Sequence, residues 1–164
     1  MKIDWQDLEA VKRVKYKYMR CVDTKNWSEL ETCFTVNATA SYSGGKYSAD
    51  GRSAILEFLT RSLDSKDILT SHCVHHPEID FQSETEATGI WAIEDTVIHE
   101  TFGVTIRGSA FYEDRYVKES DGAWRIAHTG YKRTYEEMFA RASIEGLRLT
   151  AHRWKTDGQS EINP

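Results

Sequence analysis

Asp95 stands where a carboxylate is out of place. Residues 87–100 alternate like a strand. One face carries Gly89, Trp91, Ile93, Asp95 and Val97; the other carries Thr88, Ile90, Ala92, Glu94, Thr96 and Ile98. The face holding the tryptophan is the expected interior, although Ile90 and Ile98 make the opposite face apolar too. An inward carboxylate must be paired or surrender its charge, because burying it alone costs several kcal/mol. His72, His75 and His76 supply the partner candidates. A buried Asp–His pair is either a structural clasp or a device for moving protons.

Two more proton-handling groups sit on the first amphipathic stretch. Tyr18 falls in register with its apolar stripe, and Asp23 lies where its periodicity ends. Their ordinary readings are a core aromatic with a satisfied hydroxyl and a capping carboxylate. His72 shares a strand face with Thr70 and Val74, while Cys73 and His75 face the other way and Pro77 interrupts the pairing. The run His72-x-x-His75-His76 suggests metal binding, but alternation splits it between two faces and no paired cysteines accompany it. No metal site is expected. Near the end of the last strand, Arg133 follows Lys132 between Tyr131 and Tyr135. A guanidinium there is either a surface cation or an anion clamp at a pocket mouth. P-loop, dinucleotide and nucleophile-elbow signatures are missing from the 164 residues. Cys21, Cys33 and Cys73 read as inert thiols.

These side chains must be positioned by two kinds of element. Asp4 to Asp23 is a predicted helix with Leu8, Val11, Val14 or Lys15, Tyr18 and Val22 at three-to-four spacing, capped by Asp4 and with Asp7 in its first turn. Trp27 to Phe34 reads as a short second helix, and Ala38 to Ser43 as a short strand before the Gly44-Gly45 turn. Asp50-Gly51 opens a third helix whose buried side is Ile55, Leu56, Phe58, Leu59 and Leu63. Four long strands follow, approximately Leu69–Gln82, Ala87–Glu100, Val104–Glu119 and Ala123–Tyr135, with Ser120-Asp121-Gly122 as a hairpin turn. Helices followed by consecutive strands define an α+β class: a strongly curved antiparallel sheet packed against about three N-terminal helices, a cone around an apolar pocket. Residues 1–145 are expected to form this single domain. Residues 146–164 are a tail that covers the pocket or packs on a neighbouring subunit.

Composition narrows the function. A net charge of −5 argues against non-specific nucleic-acid binding. No run of membrane-spanning length or secretory signal appears, and three cysteines without paired spacing suit a reducing compartment, so the expectation is a cytoplasmic protein. The 12% aromatic content is high and suits an aromatic-walled pocket. Trp91, Phe111, Tyr112 and Tyr116 are the residues expected to shape it.

Stretches along most of the chain, up to about Phe139, resemble the SnoaL-like, scytalone-dehydratase-like superfamily, also called nuclear-transport-factor-like. Within it the text is similar to the bacterial bile-acid 7α-dehydratases. It includes Tyr18-Met-Arg-Cys-Val-Asp23, Trp27-Ser-Glu-Leu-Glu-Thr32, Ser41-Tyr-Ser-Gly-Gly-Lys46, His75-His-Pro-Glu-Ile79 and Ser83-Glu-Thr-Glu-Ala-Thr-Gly89. It continues through Glu94-Asp95, Gly108-Ser-Ala-Phe-Tyr112, Asp121-Gly-Ala-Trp124, Thr129-Gly-Tyr-Lys-Arg133 and Tyr135-Glu-Glu. The resemblance implies catalytic roles for Tyr18, Asp23, His72 and Asp95 and a substrate-binding role for Arg133. Trp91, Tyr112 and Tyr116 are expected to contact the substrate, which the resemblance makes an apolar ring, steroid-like or its coenzyme A conjugate. Related dehydrochlorinases use an Asp–His pair matching Asp23 and His72; scytalone dehydratase has a further histidine in the third long strand, where this chain has none.

The implied reaction is cofactor-independent loss of water. His72 would act as base or proton shuttle, Asp23 or Asp95 would hold its other nitrogen, Tyr18 would donate to the substrate oxygen, and Arg133 would hold an anionic tail. An isomerase, cyclase or dehydrohalogenase on the same dyad, or a non-catalytic binding or assembly module, are the alternatives. Family likeness also implies a small homo-oligomer, a homotrimer first.

Overall fold

A computed structural model describes residues 4–162. Helix α1, Trp5–Thr24, begins where the Asp4 carboxylate accepts from the Gln6 amide at 2.8 Å. It runs through Asp23 and stops one residue later. Lys25 is left-handed (φ 55°) and returns its amide to the carbonyls of Cys21 and Val22. Asp23 therefore does not cap the helix, and its carboxylate is free for other partners. Helix α2 is confined to Trp27–Glu31, shorter than the expected Trp27–Phe34, because Phe34 already belongs to strand β1, Phe34–Tyr42. After the Ser43–Gly45 turn comes an unexpected short strand β2, Tyr47–Asp50, and then helix α3, Arg52–Leu63.

Four long strands complete the sheet: β3 Ile68–Phe81, β4 Glu86–His99, β5 Val104–Lys118 and β6 Trp124–Ala140. The last is five residues longer than its expected end at Tyr135. The order is β2-β1-β6-β5-β4-β3, antiparallel except where β1 runs parallel to β6. Register shifts between His75 and Glu78, Ser109 and Ala110, and Arg115 and Tyr116 place irregularities where the ladder must bend. The first lies at Pro77, beside His76 with φ 20°. The helices cover the concave side, where Val11, Tyr18, Leu30, Phe34, Ile55, Trp91, Tyr116 and Ile126 are nearly or fully enclosed.

The expected parity of β4 holds. Ala87, Gly89, Trp91, Ile93 and Asp95 are buried, and the alternate residues are more exposed. After the Arg141–Ser143 turn the tail stays at the same end of the sheet and crosses from β6 towards the start of β3. There His152, 5% exposed, donates through Nε2 to Glu100 at 2.9 Å, and Lys155 bridges Glu100 and Asp67 at 2.7 and 3.2 Å. Lys25 Nζ lies 4.8 Å from the centroid of the Trp154 ring, tying the tail to the end of α1. Among the described residues no helix is long and apolar enough to cross a membrane.

Candidate active site

A cavity of about 400 Å³ opens between the helices and the sheet. Aliphatic and aromatic side chains from α1 and α3, with Val97 and Ile106, make its apolar wall. Its polar groups are Tyr18, Tyr42, Tyr47, Ser62, His72, Asp95, Tyr112, Tyr131 and Arg133. The volume falls at the lower end of the roughly 300–1,000 Å³ usual for small-molecule sites.

His72 reaches the cavity because even-numbered positions of β3 face inward before the break at Pro77. Its ring is fixed from the helix side. Asp23 Oδ1 meets His72 Nδ1 at 2.6 Å and accepts from Thr70 Oγ1 at 2.7 Å, while Oδ2 accepts from the His72 amide at 2.8 Å. Burial works against the Asp23 charge, but these hydrogen bonds and the imidazole hold its carboxyl below the usual carboxylate range. Nδ1 thus carries the proton toward Asp23. Nε2 is left without a protein partner among the described residues, on a ring that lines the cavity. The sequence left the partner of His72 open between two aspartates; Asp23 takes it.

Asp95 sits directly across the β3–β4 ladder from His72 but turns elsewhere. Its two oxygens accept a bidentate pair from Arg133, Nη1 on Oδ1 and Nη2 on Oδ2, the latter at 3.0 Å. The inward carboxylate is paired as burial demands, with an arginine and not with a histidine. Desolvation opposes the guanidinium charge, yet the Asp95 hydrogen bonds raise its pKa above the ordinary arginine value. Two local features permit the pairing. The Ser109/Ala110 shift leaves Thr134 unpaired and lets Arg133 stand opposite Ala110. Gly108, opposite Asp95, keeps the path clear: a Cβ there would lie 3.1 Å from Arg133 Nη1 and closer still to the Tyr135 carbonyl. Arg133 is therefore neutralised inside the cavity instead of standing as a free anion clamp at its mouth.

Tyr18 donates to or accepts from Tyr42 at 2.9 Å, and its ring packs edge-on against Phe34 and Tyr112. Burial, reinforced by neighbouring tyrosines, raises the pKa values of Tyr18 and Tyr112 well above ordinary, so both remain protonated donors. Trp91 and Tyr116, expected to contact substrate, do not line this cavity. Trp91 Nε1 donates to the Tyr116 hydroxyl at 3.0 Å, which donates to Asp114 at 2.7 Å, deep in the core. Phe111 is half exposed on the other face of the sheet, as period-two alternation with Tyr112 requires. His75 and Cys73 likewise face outward, and no described cluster of metal-binding residues exists. Among the described residues, nothing in the tail lines the cavity.

Sequence reasoning offered Lys15 as an alternative to Val14 on the helix stripe but gave it no partner, and passed over Asp114. Both are wholly enclosed, with Lys15 Nζ 2.7 Å from Asp114 Oδ2 and 3.4 Å from the centroid of the Tyr112 ring. The parity argument that exposed Asp95 would also have found Asp114, which alternates inward between Tyr112 and Tyr116. Tyr42 and Tyr131 of the cavity wall were not singled out as pocket residues, whereas Phe58 lies on the expected buried side of α3.

A helix-covered, open, curved sheet enclosing an aromatic cavity with one anchored histidine defines an α+β cone-type small-molecule site. Residues 4–130 match the SnoaL-like domain model, and the chain belongs to that family. Solved structures that share the fold include a provisionally assigned scytalone dehydratase from Novosphingobium aromaticivorans DSM 12444. It is 24% identical, with a TM-score of 0.73, over 80% of this chain and 86% of that one. A type 2 hexachlorocyclohexane dehydrochlorinase (LinA) is 17% identical, with a TM-score of 0.75, over 88% and 93%. ActVI-ORFA from Streptomyces coelicolor is 17% identical, with a TM-score of 0.66, over 77% and 96%.

Proposed function

We propose that this protein is a cofactor-independent lyase that eliminates water from a hydroxylated ring substrate, with His72 as the proton-transfer group. The observation that carries this reading is the one-sided anchoring of His72: Nδ1 is held by Asp23 and Nε2 is unclaimed at the cavity. A histidine in this setting accepts a proton at Nε2, and the Asp23 carboxylate stabilises the imidazolium that forms.

In the proposed reaction His72 Nε2 takes a proton from the carbon adjacent to the departing group. The released electron pair forms the new double bond as the carbon–oxygen bond breaks. The imidazolium returns its proton to the leaving hydroxyl, so water departs and His72 is regenerated. For a substrate in which that carbon is conjugated to a ketone, negative charge develops on the ketone oxygen. Protonated Tyr18 and Tyr112 are placed to donate to it, a form of electrostatic stabilisation commonly worth a few kcal/mol per donor, roughly 2.7–4. A 7α-hydroxy-3-oxo-Δ4 steroid is the leading substrate by family likeness. The same base would remove hydrogen halide from a chlorinated ring, where the departing anion needs no proton; the fold shared with the dehydrochlorinase makes this the second reading. The three unbridged thiols support a reducing compartment, for which we take the cytoplasm, and family likeness supports a homotrimer.

An ultraviolet assay with the purified protein tests the reaction, because elimination extends the enone to a dienone that absorbs at longer wavelength. The expected result is a rise of that band with wild type and a loss of about 10²–10⁴-fold in His72→Ala with the circular dichroism unchanged. Equal rates for the two proteins would overturn the mechanism. Release of chloride from a chlorocyclohexane, without any dienone, would select the second reading.

A further inference from the structure

We infer that the Asp95–Arg133 pair makes the cavity selective for uncharged ring ligands bearing a carbonyl or hydroxyl oxygen, and that it excludes carboxylates and other anions of the same shape. This rests on the cavity being the ligand site proposed above and extends that reading from a reaction to a ligand class.

The charges that face the cavity argue the point. Arg133 is its only described lining cation apart from a protonated His72, and both Nη atoms already serve the Asp95 carboxylate, whose side chain is 4% exposed. Glu136 Oε2 lies a further 3.2 Å from Arg133 Nε. On the neighbouring strand His72 is backed by Asp23. Behind the tyrosines, Lys15 is matched by Asp114, and Lys25 beyond the cavity is opposed by Asp64 and Asp23. Asp23 and Asp95 against Arg133 leave an excess of negative charge while His72 is neutral, and Glu136, half exposed and outside the lining, adds to the negative side only through solvent. In an enclosed site of low dielectric such an excess is felt strongly. An entering carboxylate would find the guanidinium charge already balanced by Asp95, and taking the bidentate edge for itself would leave Asp95 buried and unpaired.

A neutral oxygen meets no such obstacle. A guanidinium has five N–H bonds, and the Asp95 pair uses one from each Nη, so each Nη retains one N–H. These, with the hydroxyls of Tyr18, Tyr112 and Tyr131, offer donors to a carbonyl without asking for a charge. The apolar wall from Met19, Val22, Phe58, Leu59 and Leu63 takes the ring system. An anionic substituent is accommodated only on a ligand long enough to carry it out of the cavity.

The test uses an isosteric probe pair, 2-acetylnaphthalene and 2-naphthoate, titrated into the protein while the His72 imidazole is followed by nuclear magnetic resonance. The wild type is expected to bind the ketone at least tenfold more tightly than the carboxylate. Asp95→Asn, which frees the guanidinium at constant shape, should reverse the order. Asp95→Asn combined with Arg133→Gln should restore the preference for the ketone. Carboxylate binding as tight as ketone binding in the wild type overturns the proposal. So does an unreversed order in folded Asp95→Asn, or binding of neither probe. Because nothing is turned over, a neutral preference without elimination activity would discard the proposed reaction and leave this inference standing.

Discussion

At the scale of the residue, the site depends on which partner each ionisable group accepts. Asp23 holds His72 by its ring and by its backbone amide, so it sets tautomer and orientation together. Asp23→Asn is expected to present its amide NH₂ or a weaker acceptor to Nδ1 and to lose roughly 10²-fold or more in the dienone assay. The same substitution has a signature in stability. A carboxyl with a lowered folded pKa contributes stability that is complete above its unfolded value, about pH 4, and is lost as pH falls through the lower folded value. Urea midpoints measured from neutral to acid pH should therefore fall less steeply in Asp23→Asn than in wild type. Gly108→Ala is a second residue-scale prediction. Its methyl would intrude on Arg133 and the Tyr135 carbonyl, so the Asp95–Arg133 pair should part and thermal stability should drop by a few kcal/mol, about 1–3 for an overpacked position. Unchanged melting with an intact ion pair in its structure would refute that account.

At the scale of the element, α1 is joined to the sheet by charge as well as by apolar packing. Lys15 emerges from its buried face one turn before Tyr18 and meets Asp114 of β5, whose other partner is Tyr116. Burial pulls the Lys15 pKa down from 10.5 to about 8 despite that carboxylate. The folded state thus releases a proton that the unfolded chain retains between these values, and stability should rise with pH through that window. Lys15→Met leaves Asp114 charged and enclosed, at an expected cost of about 3–5 kcal/mol. Lys15→Met with Asp114→Asn removes the stranded charge yet keeps an acceptor for Tyr116, and should recover most of the loss in chemical denaturation. If the double variant is no more stable than the single one, the pair contributes by shape and not by charge.

At the scale of the whole molecule, the tail docks where β3 begins and β4 ends, beside the end of α1. His152 Nδ1 accepts from the amides of Trp154 and Lys155 at 3.1 and 3.2 Å while Nε2 reaches Glu100, so one imidazole shapes the tail turn and docks it. Lys25 links this region to α1, next to the Asp23 that holds His72. Removing residues 146–164 should lower the melting temperature and increase amide exchange at the end of α1, with the cavity wall itself intact. A truncated protein with native exchange there would show that the tail is not part of the cooperative unit.

The local chemistry of the chain dictated its elements. Period-two alternation placed Asp95 and His72 on interior faces, three-to-four spacing placed Tyr18 on the buried stripe of α1, and both readings hold because they depend only on backbone geometry. Element ends were less legible. Phe34 joins the sheet instead of finishing α2, and β6 runs on to Ala140, because pairing with a neighbouring strand outweighs local propensity. What only the tertiary structure decided is partner choice. Asp23 and Asp95 have the same functional group, and no spacing rule says which of them meets His72. A curved sheet with a bulge at Thr134 and a glycine at position 108 brings Arg133 onto Asp95, and the full length of α1 carries Asp23 to His72. Alternation tells a side chain which face it occupies; only the curvature of the sheet and the path of the helix determine what stands within 3 Å of it there.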